Sequence, residues 1–341
     1  MEKLIDKLKR RSFLVVGRAG MDFYAEPPGT VLEEADSFSA HVGGSAANTA
    51  VALARLGCGA EVVTCVSDDA VGRFATARLA RFGVGTKYCR SVAGEARNSL
   101  AVVETRLENC QSVIYRNGAA DFDMGPGDVE SLDYAAAGGV ILSGTALAAE
   151  PSRSAIFRAI ELARAAGTPV IIDMDYRPYS WVSQEEAAEV YTRAIEHCDL
   201  VIGNDVEFNV AAGPGQDGFE HARSLLQAFP SLVVYKMGER GSVTFTATES
   251  FETGIYPVRA LKPTGAGDAF MGGFLAGLAD GLSPKDAVRQ GSASAAIVVT
   301  RVSCSTAMPD PKELADFVSA HPILSSQETT APGEHHAHCP V

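Results

Sequence analysis

The sequence has no apolar run approaching the ~18 residues of a membrane-spanning helix, so no membrane partner is expected. Its opening stretch, MEKLIDKLKRR, lacks the apolar core and cleavage site of a secretory signal. Cysteine is scattered rather than patterned: seven residues, at 58, 65, 89, 110, 198, 304 and 339, with no CxxC pair. That argues against a disulfide framework or a structural zinc site and favours reduced thiols in the cytoplasm. Positive charge is in short supply, with a formal net charge of -13. Nucleic acid is therefore not an expected partner, because binding it needs clustered Lys and Arg against phosphates. Any small anion would have to be held by local cations or a helix N-terminus. There is no GxxxxGK[ST], which excludes a P-loop kinase. VVGRAGMD, after the first apolar run, also lacks the GxGxxG of a dinucleotide fold. No internal repeat is visible.

What is there suits a globular α/β protein with a sizeable core: 46% hydrophobic and 21% charged residues. Short apolar runs at 12-17, 61-66, 138-143, 169-173, 199-203 and 231-236 read as buried strands. Helical patterns at 45-56, 69-82, 152-166, 184-197 and 217-228 alternate with them. This alternation predicts a mostly parallel sheet covered on both faces. Residues 23-42 and 95-116 break the pattern, the second reading as a hairpin, and together suggest a small β-lid beside the main sheet. Three helices, 265-281, 284-301 and 311-320, are expected near the C-terminus, and 323-341 reads as a flexible polar tail. His335, His336, His338 and Cys339 within it are spaced closely enough to catch a transition metal, but a loose end is the expected reading.

The sharpest motif is PTGAGDAFMGGFLAGLADG, Pro263 to Gly281. Gly265, Ala266 and Gly267 carry little or no side chain, so their backbone amides can approach a ligand at the start of a helix. Free amides and the positive end of the helix dipole make such a turn an anion hole. Asp268 lies in the same turn, where a carboxylate could take a proton from a substrate hydroxyl during phosphoryl transfer. Alone, the string would be an ordinary Gly-rich helix entry.

Four segments in order carry a resemblance to the ribokinase/PfkB family of sugar kinases, over about residues 12 to 320. GAGDAFMGGF is similar to the family's C-terminal signature and HVGGSAANTAVALARLG to its N-terminal one. GNDVEF supplies its NxxE pair, and VVYKMGERGSV resembles the stretch beneath the triphosphate. The resemblance implies a ribokinase-like three-layer sandwich over 12-322, an ATP-dependent reaction and Asp268 as base. It implies that Asp22, Gly43, Gly44 and Asn48 contact the sugar. Asn204 and Glu207 would organise Mg2+ through waters, and Lys236, Gly238, Gly241 and Thr264 would line the nucleotide. Ala295 and Val299 would form the adenine wall. Pro263 stands where many members carry Asp or Thr, which leaves a K+ requirement open. Val302 follows the Thr300–Arg301 pair where the family often has Gly.

Three further strings, IIDMDYRPYSW, RVSCSTAMPD and YRNGAAD, look like the branch of the family that phosphorylates 5-dehydro-2-deoxygluconate in inositol catabolism. Arg116 and Arg177 are then candidates to clamp the carboxylate of a sugar acid, since guanidinium matches carboxylate bidentately. A 2-keto-3-deoxygluconate kinase is the runner-up. A kinase of another sugar or a nucleoside, or a sugar sensor without catalysis, are further readings. The family often dimerises through its lid, so the resemblance also allows a homodimer there.

Overall fold

A computed structural model describes residues 1-106 and 110-324. Nine strands form one sheet: β1 (Ser12–Val16), β4 (Gly59–Ser67), β5 (Gly85–Val92), β8 (Gly139–Ser143), β9 (Val170–Asp173), β10 (Leu200–Asn204), β11 (Leu232–Lys236), β12 (Ser242–Thr246) and β13 (Ser250–Thr253). Their order is β13-β12-β11-β10-β9-β8-β1-β4-β5. All pairings are parallel except β11-β12 and β12-β13.

The β-branched runs explain why this sheet is the central layer. In β1, Phe13 and Val15 enter one apolar cluster, while Leu14 and Val16 enter another. The pleat sends alternate side chains to opposite faces, so a strand buried on both faces reads as a continuous apolar run. One cluster is completed by the helices Ser45–Arg55, Ala266–Ala279 and Pro284–Val299. The other is completed by Ser152–Ala165 and Gln184–Ile195. Helix, sheet and helix are the three layers.

A second sheet holds the remaining strands in the order β3-β2-β6-β7: β2 (Gly20–Glu26), β3 (Ser37–Gly43), β6 (Leu100–Val103) and β7 (Ser112–Tyr115). Two antiparallel hairpins, β2-β3 and β6-β7, meet through the parallel β2-β6 pair. These are the segments that interrupt the βα alternation in the sequence. The first strand starts at Gly20, earlier than residue 23, so Asp22 belongs to a strand of the small sheet and not to a turn after β1.

The C-terminal helices are Ala266–Ala279, Pro284–Val299 and Pro311–Ala320. Of the segment read as a tail, residues 325-341, with the His-rich cluster and Cys339, lie outside the described residues. Among the described residues no helix is long and apolar enough to cross a membrane. Cys58, Cys65, Cys89, Cys198 and Cys304 are free thiols.

Candidate active site

Open parallel sheets bind ligands beyond the carboxyl ends of their strands. Here Ser143 pairs with Asp173 at the ends of β8 and β9, and Asn204 with Lys236 at the ends of β10 and β11. The Gly265 turn faces this row. Gly265 is left-handed, with φ 85°, and a Cβ there would lie 2.5 Å from Cys304 Sγ. Only glycine fits both demands. A Cβ on Gly267 would stand 3.5 Å from Lys236 Nζ, so the lysine ammonium sits directly over bare backbone. Asp268 follows in the first turn of the helix, half-buried, and its Oδ2 accepts a 2.8 Å hydrogen bond from Asn48 Nδ2. Burial, then the negative charge of Asp175, pushes its carboxyl up to about 7; Asn48, Arg177 and Lys236 oppose the shift.

The second wall comes from the small sheet and the helix Ser45–Arg55. Asp22 is buried, and a Cβ on Gly43 would stand 1.9 Å from its Oδ1. Gly43 thus makes room for that carboxylate. Gly44, with φ 99°, lets the chain pass the Arg18 carbonyl, which a Cβ would meet at 2.5 Å. Asp22 Oδ1 and Asn48 Oδ1 are buried acceptors without a protein partner. Buried acceptors are rarely left so unless something else donates to them, and the hydroxyls of a polyol suit both. Burial raises the Asp22 carboxyl to about 6, against the pull of Arg18, Lys262 and the Tyr24 hydroxyl.

Asp175 ties the walls together. It adopts a left-handed backbone, φ 37°, just beyond β9. Its Oδ2 accepts from Ser45 Oγ at 2.5 Å and from Ser143 Oγ at 3.1 Å, and its Oδ1 pairs with Arg177 Nη2 at 2.9 Å. That pairing holds the guanidinium firmly protonated. Arg116 is buried: Nε and Nη2 donate to Asp121 Oδ2 at 3.2 and 2.5 Å, and Nη1 donates to the Thr145 carbonyl at 3.2 Å. Its Cζ lies over the Phe122 ring, 4.1 Å from the centroid. Three of its five donors are therefore already engaged. Tyr179 lies two residues beyond Arg177, on the turn Pro178–Ser180. Burial raises its hydroxyl, while Arg177, Arg18 and Arg116 all pull it down.

On the opposite side Asn204 and Glu207 form a reciprocal helix cap. Asn204 Oδ1 accepts from the Glu207 amide at 2.9 Å, and Glu207 Oε2 from the Asn204 amide at 2.6 Å. Glu207 Oε1 also accepts from the Tyr176 amide at 3.2 Å. Burial raises the Asp173 carboxyl well above its ordinary value; Lys236 opposes this, and Asp175, Glu207 and Asp268 add to it. Crowded carboxylates of this kind gain from a hard divalent cation. Among the described residues no three His, Cys, Asp or Glu groups enclose a metal. Gly238 and Gly241 are both left-handed, and a Cβ on Gly241 would meet the Thr253 carbonyl at 2.2 Å. Thr264 is half-buried before the turn; Ala295 and Val299 are half-buried on the helix Pro284–Val299.

The structure thus gathers Asp22, Gly43, Asn48, Arg177, Glu207, Lys236 and Asp268 around one cleft. Sequence reasoning missed Arg18, Asp175 and Lys262. Arg18 was visible in VVGRAGMD, a string weighed only for the glycines it lacks. Asp175 was visible in DMDYR, but its left-handed backbone leaves no composition signal.

Residues 10–311 match the family model described as pfkB family carbohydrate kinase. The chain belongs to this family. Curated relatives named 5-dehydro-2-deoxygluconokinase include one from Geobacillus kaustophilus, 37% identical over 93% of this chain and 96% of its own length. Another, from Photobacterium profundum, is 38% identical over 89% of this chain and 94% of its own. Among solved structures, a fructokinase with bound ATP from Xylella fastidiosa aligns with a TM-score of 0.81 at 26% identity, covering 91% of this chain and 99% of that one. A double-mutant fructokinase from Vibrio cholerae bound to fructose, ADP and potassium ion gives 0.78 at 25% identity, covering 90% and 98%. The protein is therefore a carbohydrate kinase of ribokinase-like fold, with the large parallel sheet and the separate small sheet that the sequence led us to expect.

Proposed function

We propose that this kinase transfers the γ-phosphoryl group of ATP to the terminal hydroxyl of 5-dehydro-2-deoxygluconate. The observation that carries the reading is the polarity of the cleft: a carboxylate beside an anion-binding turn at one end, and the Arg177 guanidinium beside Asp175 at the other. An acidic protein attracts no anion through its overall field, so a sugar acid needs such a local clamp. The strong similarity to relatives named for this substrate points the same way.

In this reading Arg177 supplies the main contact to the substrate carboxylate, with Arg18 and the remaining donors of Arg116 beside it. Asp22, Gly43, Gly44 and Asn48 hold the sugar hydroxyls. Asp268, steadied by Asn48, accepts the proton of the terminal hydroxyl as its oxygen bonds to the γ-phosphorus and the bond from phosphorus to the ADP oxygen breaks. The amides of Gly265, Ala266 and Gly267, with Lys236 above them, receive the charge on the moving phosphoryl group. Thr264, Gly238 and Gly241 flank the nucleotide, and Ala295 and Val299 border the adenine. Glu207 and Asn204, joined by Asp173, would hold Mg2+ through water. The ion would neutralise phosphate charge.

The small sheet acts as a lid over the sugar and pairs with its counterpart in a homodimer. Phe38 and Val113, on its edge strands β3 and β7, are exposed, as is Tyr115 at the end of β7. ATP and free thiols both suit the cytoplasm. The test is Arg177→Ala, assayed with the sugar acid and with fructose. KM for the acid should rise about tenfold or more, as expected for loss of a charge-assisted pair, with little change for fructose. Equal effects on both would remove the carboxylate clamp.

A further inference from the structure

Lys262 is fully buried, an unusual fate for a lysine, and the phosphoryl-transfer scheme above does not use it. Its Nζ donates to the Thr264 carbonyl, the one immediately before the left-handed Gly265, and lies 3.8 Å from Cys304 Sγ. Cys304 in turn packs against Gly265 and hydrogen-bonds the Tyr24 hydroxyl at 3.1 Å. The ammonium is therefore fixed beneath the anion turn by a carbonyl and a thiol. Among the described residues no carboxylate forms an ion pair with it. Asp22 acts on it only from beyond ion-pair distance, and a buried ammonium so weakly compensated is costly. It becomes favourable when the missing negative charge arrives with a ligand, and the nearest site built for an anion is the Gly265–Asp268 turn.

A free monovalent cation placed beneath that turn would compete with the ammonium for the Thr264 carbonyl. The residues do not fit one, because the lysine ammonium already occupies the Thr264 oxygen. We propose that Lys262 is a built-in monovalent cation: it positions the Gly265 turn and lends it positive charge, so that turnover needs no added K+. The proposal rests on the kinase reading, but it can fail on its own. An active enzyme that depends on K+ would leave the kinase standing and remove only the role of Lys262.

The experiment is a K+ titration of ADP release, in a choline-buffered background, with the wild type, Lys262→Met and Lys262→Ala. Thermal melts establish that each variant is folded. Wild-type kcat should be flat from no K+ to a cellular concentration. Lys262→Met, which keeps the volume and loses the charge, should lose about tenfold or more in kcat, in line with removal of one group from an oxyanion-type site. Lys262→Ala, which opens a cation-sized space beside the Thr264 carbonyl, should be activated by K+. A wild type stimulated severalfold by K+, a folded Lys262→Met with wild-type kcat, or a folded Lys262→Ala indifferent to K+ would each overturn the proposal. The wild-type titration decides the matter even if neither variant folds.

Discussion

Asp268 must be ionised before it can take a proton from a sugar hydroxyl, and its surroundings resist ionisation. With the carboxyl held up to about 7 by burial and Asp175, kcat should rise with pH through that region and level off above it. Asp268→Asn should lower kcat by the ~10²–10⁴ typical of a lost general base, with ATP binding retained. Near-normal kcat in that variant would reject the assignment. The same shift has a stability consequence. A carboxyl whose folded value is raised stabilises the fold below its unfolded value near 4, and that contribution is lost as pH rises through about 7. Asp22, raised to about 6 by burial, acts in the same direction. The melting temperature of Asp268→Asn relative to the wild type should therefore climb between about pH 4 and about pH 7 and level off above. A difference independent of pH would show that the buried charge is not strained.

At the scale of elements, the helix Ala266–Ala279 matters chiefly for how it begins. Gly265→Ala would force a side chain into a left-handed position and into Cys304 at once. It should cost about 1–3 kcal/mol in stability and raise KM for ATP. A variant as stable and active as the wild type would mean that the turn is less constrained than its geometry suggests. The long parallel strands were legible because burial on both faces leaves uninterrupted apolar runs such as FLVV and VVYK. Strand β5 was not, because an edge strand carries Lys87 and Arg90 and has no such run. Strand β12 was missed for a related reason: Ser242, Thr244 and Thr246 are buried hydroxyl residues that read as polar in sequence. The GAGD turn and the Asn204–Glu207 cap were legible as local patterns. The ties of Asp175 to Ser45, Ser143 and Arg177 were not, since they join distant parts of the chain that only the fold brings together.

At the scale of the whole molecule, one large sheet supplies the row of strand ends and a small sheet supplies the opposite wall. In the proposed reading the site lies where they meet, with Asp268 as proton acceptor at one end and Arg177 at the other. If the small sheets pair, the protein should sediment as a dimer, and Phe38→Glu on edge strand β3 should shift it towards monomer. A monomeric wild type would remove the dimer and leave the active site intact. The central claim concerns what fits between the two ends. Its most direct test is ADP release measured with 5-dehydro-2-deoxygluconate, 2-keto-3-deoxygluconate, fructose and a nucleoside as acceptors. The account predicts the highest kcat/KM for 5-dehydro-2-deoxygluconate; a clear preference for fructose or the nucleoside would contradict it.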